Sequence, residues 1–182
     1  MTTDTLELLQ PVLTNLRDRF PDLDHEVTGH VGEVTIELPR EHLVEVCTWL
    51  RDTSSARFRL LSDLSGTDYP DRPDRLCVDY HLYSFDHNFR IRLKVRVPVE
   101  DPHIPTVTGV WPTANWHERE VYDFFGVRFD GHPNLIRILM PEDWEGYPQR
   151  KDYPLGGVDV EYKGAHIPPP DTRRYKGGWT SQ

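Results

Sequence analysis

Apolar positions along the chain alternate between two periods, and the switches between them outline the fold. Leu6, Leu9, Leu13, Leu16 and Phe20 recur at steps of 3 and 4, the stripe of an amphipathic helix. Pro11 interrupts that stripe, so the helix kinks there or begins near it. Val34, Ile36 and Leu38 then alternate with polar residues as a half-buried strand. Pro39 suits a first helical position, ahead of a second stripe at Leu43, Val46, Cys47 and Leu50.

Phe58 to Leu64 reads as a strand, ended by Gly66 and the turn-rich run from Asp68 to Pro73. Leu76, Val78, Tyr80 and Leu82 alternate next, and after a turn over Ser84–Asn88 so do Phe89, Ile91, Leu93, Val95 and Val97, with Arg90, Arg92, Lys94 and Arg96 between them. Strands joined by so short a turn are antiparallel neighbours. A helical turn is expected around Thr106–Trp111. A firmer helix over Ala114–Phe125 follows, capped by Thr113 and closed by Gly126. Val127–Phe129 and Leu135–Leu139 read as short extended pieces.

Beyond Pro154 periodicity fails, and Gly and Pro punctuate the sequence. The order predicts an α+β fold, with N-terminal helices packed on a largely antiparallel sheet and then an extended irregular C-terminal tail. The expected division is a core over 1–130, an extended segment over 131–154 and an arm over 155–182.

Charge narrows the partners. The net charge of −9 argues against nucleic acid, whose phosphates need a concentrated positive surface. In the tail Lys163, Arg173, Arg174 and Lys176 face only Asp159, Glu161 and Asp171, so the acidity belongs to the body. Two separated cysteines, Cys47 and Cys77, do not form a disulfide framework, and no charged-then-apolar leader opens the sequence. Both facts suit a reducing cytoplasm. No apolar run approaches the about 20 residues of a membrane-spanning helix.

The densest polar cluster is Trp116-His117-Glu118-Arg119-Glu120-Val121-Tyr122-Asp123, with His132 beyond it. It reads either as a metal or acid/base site or as a charged helix that serves packing or a partner. His117 has Val121 at i+4, so a two-histidine metal pair is absent. Arg119 and Asp123 are spaced to pair within the helix. The basic row at Arg90, Arg92, Lys94 and Arg96 is either a solvated face balanced by neighbouring carboxylates or a contact for an acidic partner. Cysteine sets for iron–sulfur clusters, dinucleotide and phosphate loops, and a nucleophile elbow are all missing. Cys47 and Cys77 lie in apolar patterns and read as buried thiols.

The stretch from Trp116 to Leu139 contains Glu118-Arg119-Glu120-Val121-Tyr122-Asp123-Phe124-Phe125-Gly126, then Gly131-His132-Pro133-Asn134-Leu135 and Arg137. It closely resembles the signature of the thirty-kilodalton (C-type) subunit family of NADH:quinone oxidoreductase, respiratory complex I. Asp143–Pro148, Arg150-Lys151-Asp152-Tyr153-Pro154 and the earlier block Leu61–Pro70 extend the likeness over roughly residues 58–154.

The resemblance implies a structural subunit of the peripheral arm of a proton-translocating complex, on the cytoplasmic side of the membrane. There it would adjoin the hydrogenase-like large and small subunits and a ferredoxin-like subunit. No catalytic residue, cofactor or metal is expected in this chain. FMN, iron–sulfur clusters, NADH and quinone would belong to the partners. Related complexes (membrane-bound hydrogenases, deazaflavin- or ferredoxin-driven quinone reductases) use the same family. The resemblance singles out Glu118, Arg119, Glu120, Tyr122, Asp123, His132, Arg137, Arg150, Lys151 and Asp152 as signature or interface residues. In the tail, Tyr162, Arg173, Arg174, Tyr175 and Trp179 read as anchors on a neighbour.

Overall fold

The structure is a computed structural model that describes residues 4–21, 23, 26–30, 33–53, 55–154, 160–162 and 165–167. Residues 1–151 and 152–182 form two separate compact units. Residues 131–151 lie in the first of these units.

Helix α1 (Asp4–Arg19) comes first and continues through Pro11 rather than beginning near it. Pro11 is exposed, while Leu9, Val12, Leu13 and Leu16 are fully or almost fully buried. Burial of that stripe offsets the missing backbone donor. Strands β1 (Glu26–His30) and β2 (Glu33–Glu37) follow as an antiparallel pair. Pro39 does not open the next helix. It precedes a single 3₁₀ turn over Arg40–His42, and α2 (Leu43–Asp52) begins after that turn, burying Leu43, Val46, Cys47 and Leu50.

The body's main sheet is completed by β3 (Leu60–Asp68), β4 (Leu76–Ser84) and β5 (Phe89–Val97), in the order β1-β2-β5-β4-β3. Within the β1-β2 pair and the β3-β4-β5 group, neighbouring strands are antiparallel. β2 and β5 run parallel, with Ile36 opposite Leu93. Register places Ile36, Leu93, Tyr80 and Leu64 on one face, and that face is the core. Strand β3 does not stop at Gly66 but continues to Asp68. Glycine is required there because a Cβ would stand 2.5 Å from the Phe125 ring of α3 (Ala114–Phe125).

The opposite face carries Thr35, Glu37, Asp79, Arg92, Lys94 and Arg96. Arg96 pairs with Glu37 at 2.7 Å, Lys94 and Arg92 reach Asp79 at 3.6 and 3.8 Å, and Arg92 donates to the Thr35 hydroxyl. The basic row is therefore largely balanced within the sheet.

Short strands β6 (His103–Pro105) and β7 (Arg128–Asp130) pair in parallel beside α3. Residues 135–139, expected as extended, form no strand. The tail is not wholly irregular: β8 (Val160–Tyr162) and β9 (Ala165–Ile167) pair antiparallel. The two strands are separated in sequence only by a pair containing a glycine, a spacing that suits a tight hairpin. No helix among the described residues is long and apolar enough to cross a membrane.

Candidate functional site around helix α3

Helix α3 spans the residues anticipated, and Gly126 ends it in the left-handed conformation (φ 73°), donating its N–H to the Tyr122 carbonyl. At the other end Thr113 occupies the cap position but makes no side-chain cap bond, because its backbone is itself helical (φ −61°, ψ −27°). The C-terminal carbonyls are taken by the following segment. Arg150 donates Nε to the Phe125 carbonyl and lies over the Tyr147 ring, while Gln149 N–H donates to the Phe124 carbonyl. A cation at a helix C-terminus is also favoured by the helix dipole.

Asp123 and Arg119 do not pair along the helix as their spacing allows. Asp123, fully buried, accepts Arg137 Nη1 at 2.8 Å on one oxygen. Its other oxygen takes three consecutive amides, Ile138, Leu139 and Met140, at 3.0, 2.7 and 2.9 Å. Burial acts to raise its pKa, but these four bonds outweigh it and hold the carboxyl below the usual range. Arg137 also donates to the carbonyls of Trp144 and Gly146. Segment 137–146 thus lacks regular structure and gains its shape from one ion pair. A tertiary carboxylate–guanidinium pair that also satisfies backbone groups prevails over a solvated i,i+4 pair worth a few tenths of a kcal/mol.

Glu118 lies on the opposite, inward side of α3 and is fully buried. Thr106 donates to one carboxylate oxygen at 2.5 Å and Val107 N–H to the other at 2.8 Å. Burial pushes its pKa up to about 7, and these two bonds only partly oppose the rise. The His132 ring, also enclosed, stands 4.0 Å from Glu118. His132 Nδ1 accepts the Asn134 N–H, which leaves Nε2 to donate to the Asn115 carbonyl at 3.1 Å. The Tyr80 phenol is buried without a hydrogen-bond partner among the described residues; burial, then the Glu118 charge, push its pKa well up.

The remaining signature residues take varied places. Arg119 donates Nε to the Ile136 carbonyl and stacks 4.8 Å from the Trp116 ring. Glu120 is exposed. Tyr122 meets Tyr147 edge-on. Lys151 contributes its backbone N–H to Asp68, which Arg75 clasps with two nitrogens at 2.8 and 2.6 Å. The Arg75 bonds, then the Lys151 bond, keep Asp68 low despite burial. Asp152 begins the second unit and is exposed, and Tyr162 lies on β8. Arg173, Arg174, Tyr175 and Trp179 lie outside the described residues.

Sequence reasoning missed the roles of Thr106, Asp68 and Arg75, and no local pattern marks them. It also grouped Glu118 with the other charges of the helix, without separating packing from a partner role. One signal was available, since Ala114, Glu118, Val121 and Phe125 follow the 4, 3, 4 spacing of a buried stripe. Both thiols are buried, and burial raises the Cys77 pKa to about 12 and pushes Cys47 higher still. Among the described residues no three His, Cys, Asp or Glu side chains gather as metal ligands would.

Helix α3 and the segment packed on it belong to a mixed α/β body whose sequence and fold have known relatives. Residues 36–159 match the family of the respiratory-chain NADH dehydrogenase 30 Kd subunit, and the chain belongs to that family. It is 58% identical over 158 residues to the C-type subunit of the NADH-quinone oxidoreductase of Mycolicibacterium gilvum, covering 86% of this chain and 70% of the relative. It spans about 60–70% of the length of such curated relatives.

A solved trypsin-resistant fragment of Nqo5 is 39% identical, with a TM-score of 0.58, covering 70% of this chain and 99% of the fragment. A chain of the membrane-bound sulfane sulfur reductase, an archaeal respiratory membrane complex, is 23% identical with a TM-score of 0.68, covering 80% of this chain and 85% of that one. The second likeness is one of fold.

Proposed function

We propose that this chain is a structural subunit of the peripheral arm of a proton-translocating NADH:quinone oxidoreductase, carrying no redox centre and no catalytic residue. The observation that carries this reading is the 58% identity to the C-type subunit of such an enzyme. The geometry supports it. Glu118 and Asp123, the acids best placed for chemistry, are fully buried and spend their oxygens on the chain's own donors. Groups so enclosed shape a surface rather than transform a substrate.

In this reading the neighbours are the hydrogenase-like large and small subunits and the ferredoxin-like subunit, which hold the clusters and the quinone site, with FMN and NADH elsewhere in the arm. The chain sits on the cytoplasmic side of the membrane through those partners. Residues 155–182 act as an arm that orders on a neighbour, with Tyr162, Arg173, Arg174, Tyr175 and Trp179 as anchors. The same role in a related ion-pumping complex is a second reading, favoured by the fold likeness to the archaeal sulfane sulfur reductase chain.

The test is purification of the tagged full-length chain from its native membranes in mild detergent. Co-elution with flavin- and cluster-bearing subunits and NADH-dependent quinone reduction is expected. Elution as a lone polypeptide overturns the reading, and co-elution without any NADH-linked activity favours the second. Deleting residues 156–182 should weaken incorporation while leaving the isolated body's melting curve nearly unchanged. Undiminished incorporation would refute the arm.

A further inference from the structure

Arg119 is 9% exposed. Its Nε is used on the Ile136 carbonyl and its plane rests on Trp116. No carboxylate among the described residues pairs with it. Asp123, one turn along, is saturated by Arg137 and three amides. Other arginines of the body that are similarly enclosed do have anions: Arg75 has Asp68, Arg96 has Glu37 and Arg137 has Asp123. The outer edge of the Arg119 guanidinium is not sealed from solvent and bonds nothing among the described residues, so an anion from outside can reach it.

Three large apolar side chains on α3 and the segment bonded to it are exposed. Trp116 is 64% exposed, Ile136 45% and Leu139 58%. Trp116 and Ile136 meet at Arg119, and Leu139 is tied to the same helix by its amide bond to Asp123. Large exposed apolar side chains around a tryptophan–arginine pair have the composition of an interface centre rather than of ordinary surface.

We propose that Trp116, Arg119, Ile136 and Leu139 form a docking surface for another polypeptide of the assembly. The segment received there carries an Asp or Glu carboxylate that pairs with the free edge of Arg119, flanked by apolar side chains that cover Trp116 and Leu139. This rests on the assembly reading above and adds the place and chemistry of one contact. A single planar fork fits a carboxylate in two-point contact. It is a poor match for an anionic bilayer, which needs several cations, while exposed Glu120 and the exposed pair Glu142 and Asp143 lie close in sequence.

The experiment puts a photo-crosslinking benzoylphenylalanine at position 116 of the full-length chain in the native assembly. Mass spectrometry should find it joined to a different polypeptide, at a peptide with an acidic residue beside the crosslink. Trp116→Ala should leave the melting temperature of the isolated chain unchanged yet reduce incorporation roughly 10-fold. Arg119→Glu should reduce it at least as much, and replacing the mapped partner carboxylate by arginine should restore it. Crosslinks to a second copy of this chain or to lipid, absence of a crosslink in the assembled complex, or full incorporation of both variants would each overturn the docking surface. Failure of the unaltered chain to co-purify with redox subunits would instead overturn the assembly reading from which the partner is drawn.

Discussion

Asp123 and Glu118 sit five residues apart on one helix, and their surroundings drive them in opposite directions. Replacing Asp123 by alanine would strand three amides and the Arg137 guanidinium in a nearly dry site. The expected cost is about 3–5 kcal/mol, read as a fall of roughly 10 °C in melting temperature. Arg137→Ala should cost less when Asp123 is already absent, because the two share one network.

Glu118 responds to pH. Its folded pKa of about 7 lies above the ordinary 4.5, so the native state binds its proton more tightly than the unfolded chain does. The stability it contributes is complete below pH 4.5 and disappears as pH rises through 7, a loss on the order of 3 kcal/mol. Asp68 and Asp123 have lowered values, so their contributions are present above 3.8 and vanish only as pH falls further. Urea unfolding at pH 5 and pH 8 should therefore favour pH 5. Glu118→Gln keeps an acceptor for Val107 and should abolish most of that difference. An equal pH difference in the variant would exclude Glu118 as its source.

Between elements, α3 lies against β3 at Gly66. Gly66→Ala drives a methyl group into the Phe125 ring and should destabilise by about 1–3 kcal/mol. Trimming the ring with Phe125→Leu should recover part of that loss, as a double-mutant cycle in urea would register. If the two changes simply add, the contact is not the cause. Which elements were legible follows from the same physics. β4, β5 and α3 each run nine residues or more with apolar positions at a regular period toward the core, so period two and the helical stripe were plain. β1 offers only half-buried Val27 among exposed neighbours and exists because β2 pairs with it. β3 was cut short because Gly66 reads locally as a stop, whereas its reason for being glycine lies 59 positions away in Phe125. The site was legible as a cluster but not as a network, since the partners of Asp123 lie on an aperiodic segment.

At the scale of the whole body, the parallel meeting of β2 and β5 is the one seam in a main sheet otherwise stitched from antiparallel neighbours. Thr35 and Arg92, which face each other across it, are 57 residues apart in sequence. The β3-β4-β5 meander and the β1-β2 hairpin each close over short connections, so each loses little chain entropy in forming. Joining them requires ordering α2 and everything between. We therefore expect folding to nucleate in the meander and the N-terminal hairpin to dock after the rate-limiting barrier. Chevron analysis checks this: Val95→Ala should slow refolding, whereas Ile36→Val should chiefly quicken unfolding. The reverse pattern would put nucleation at the seam. If the seam closes late, it also opens early, and the N-terminal hairpin is the part of the body that thermal fluctuation releases first.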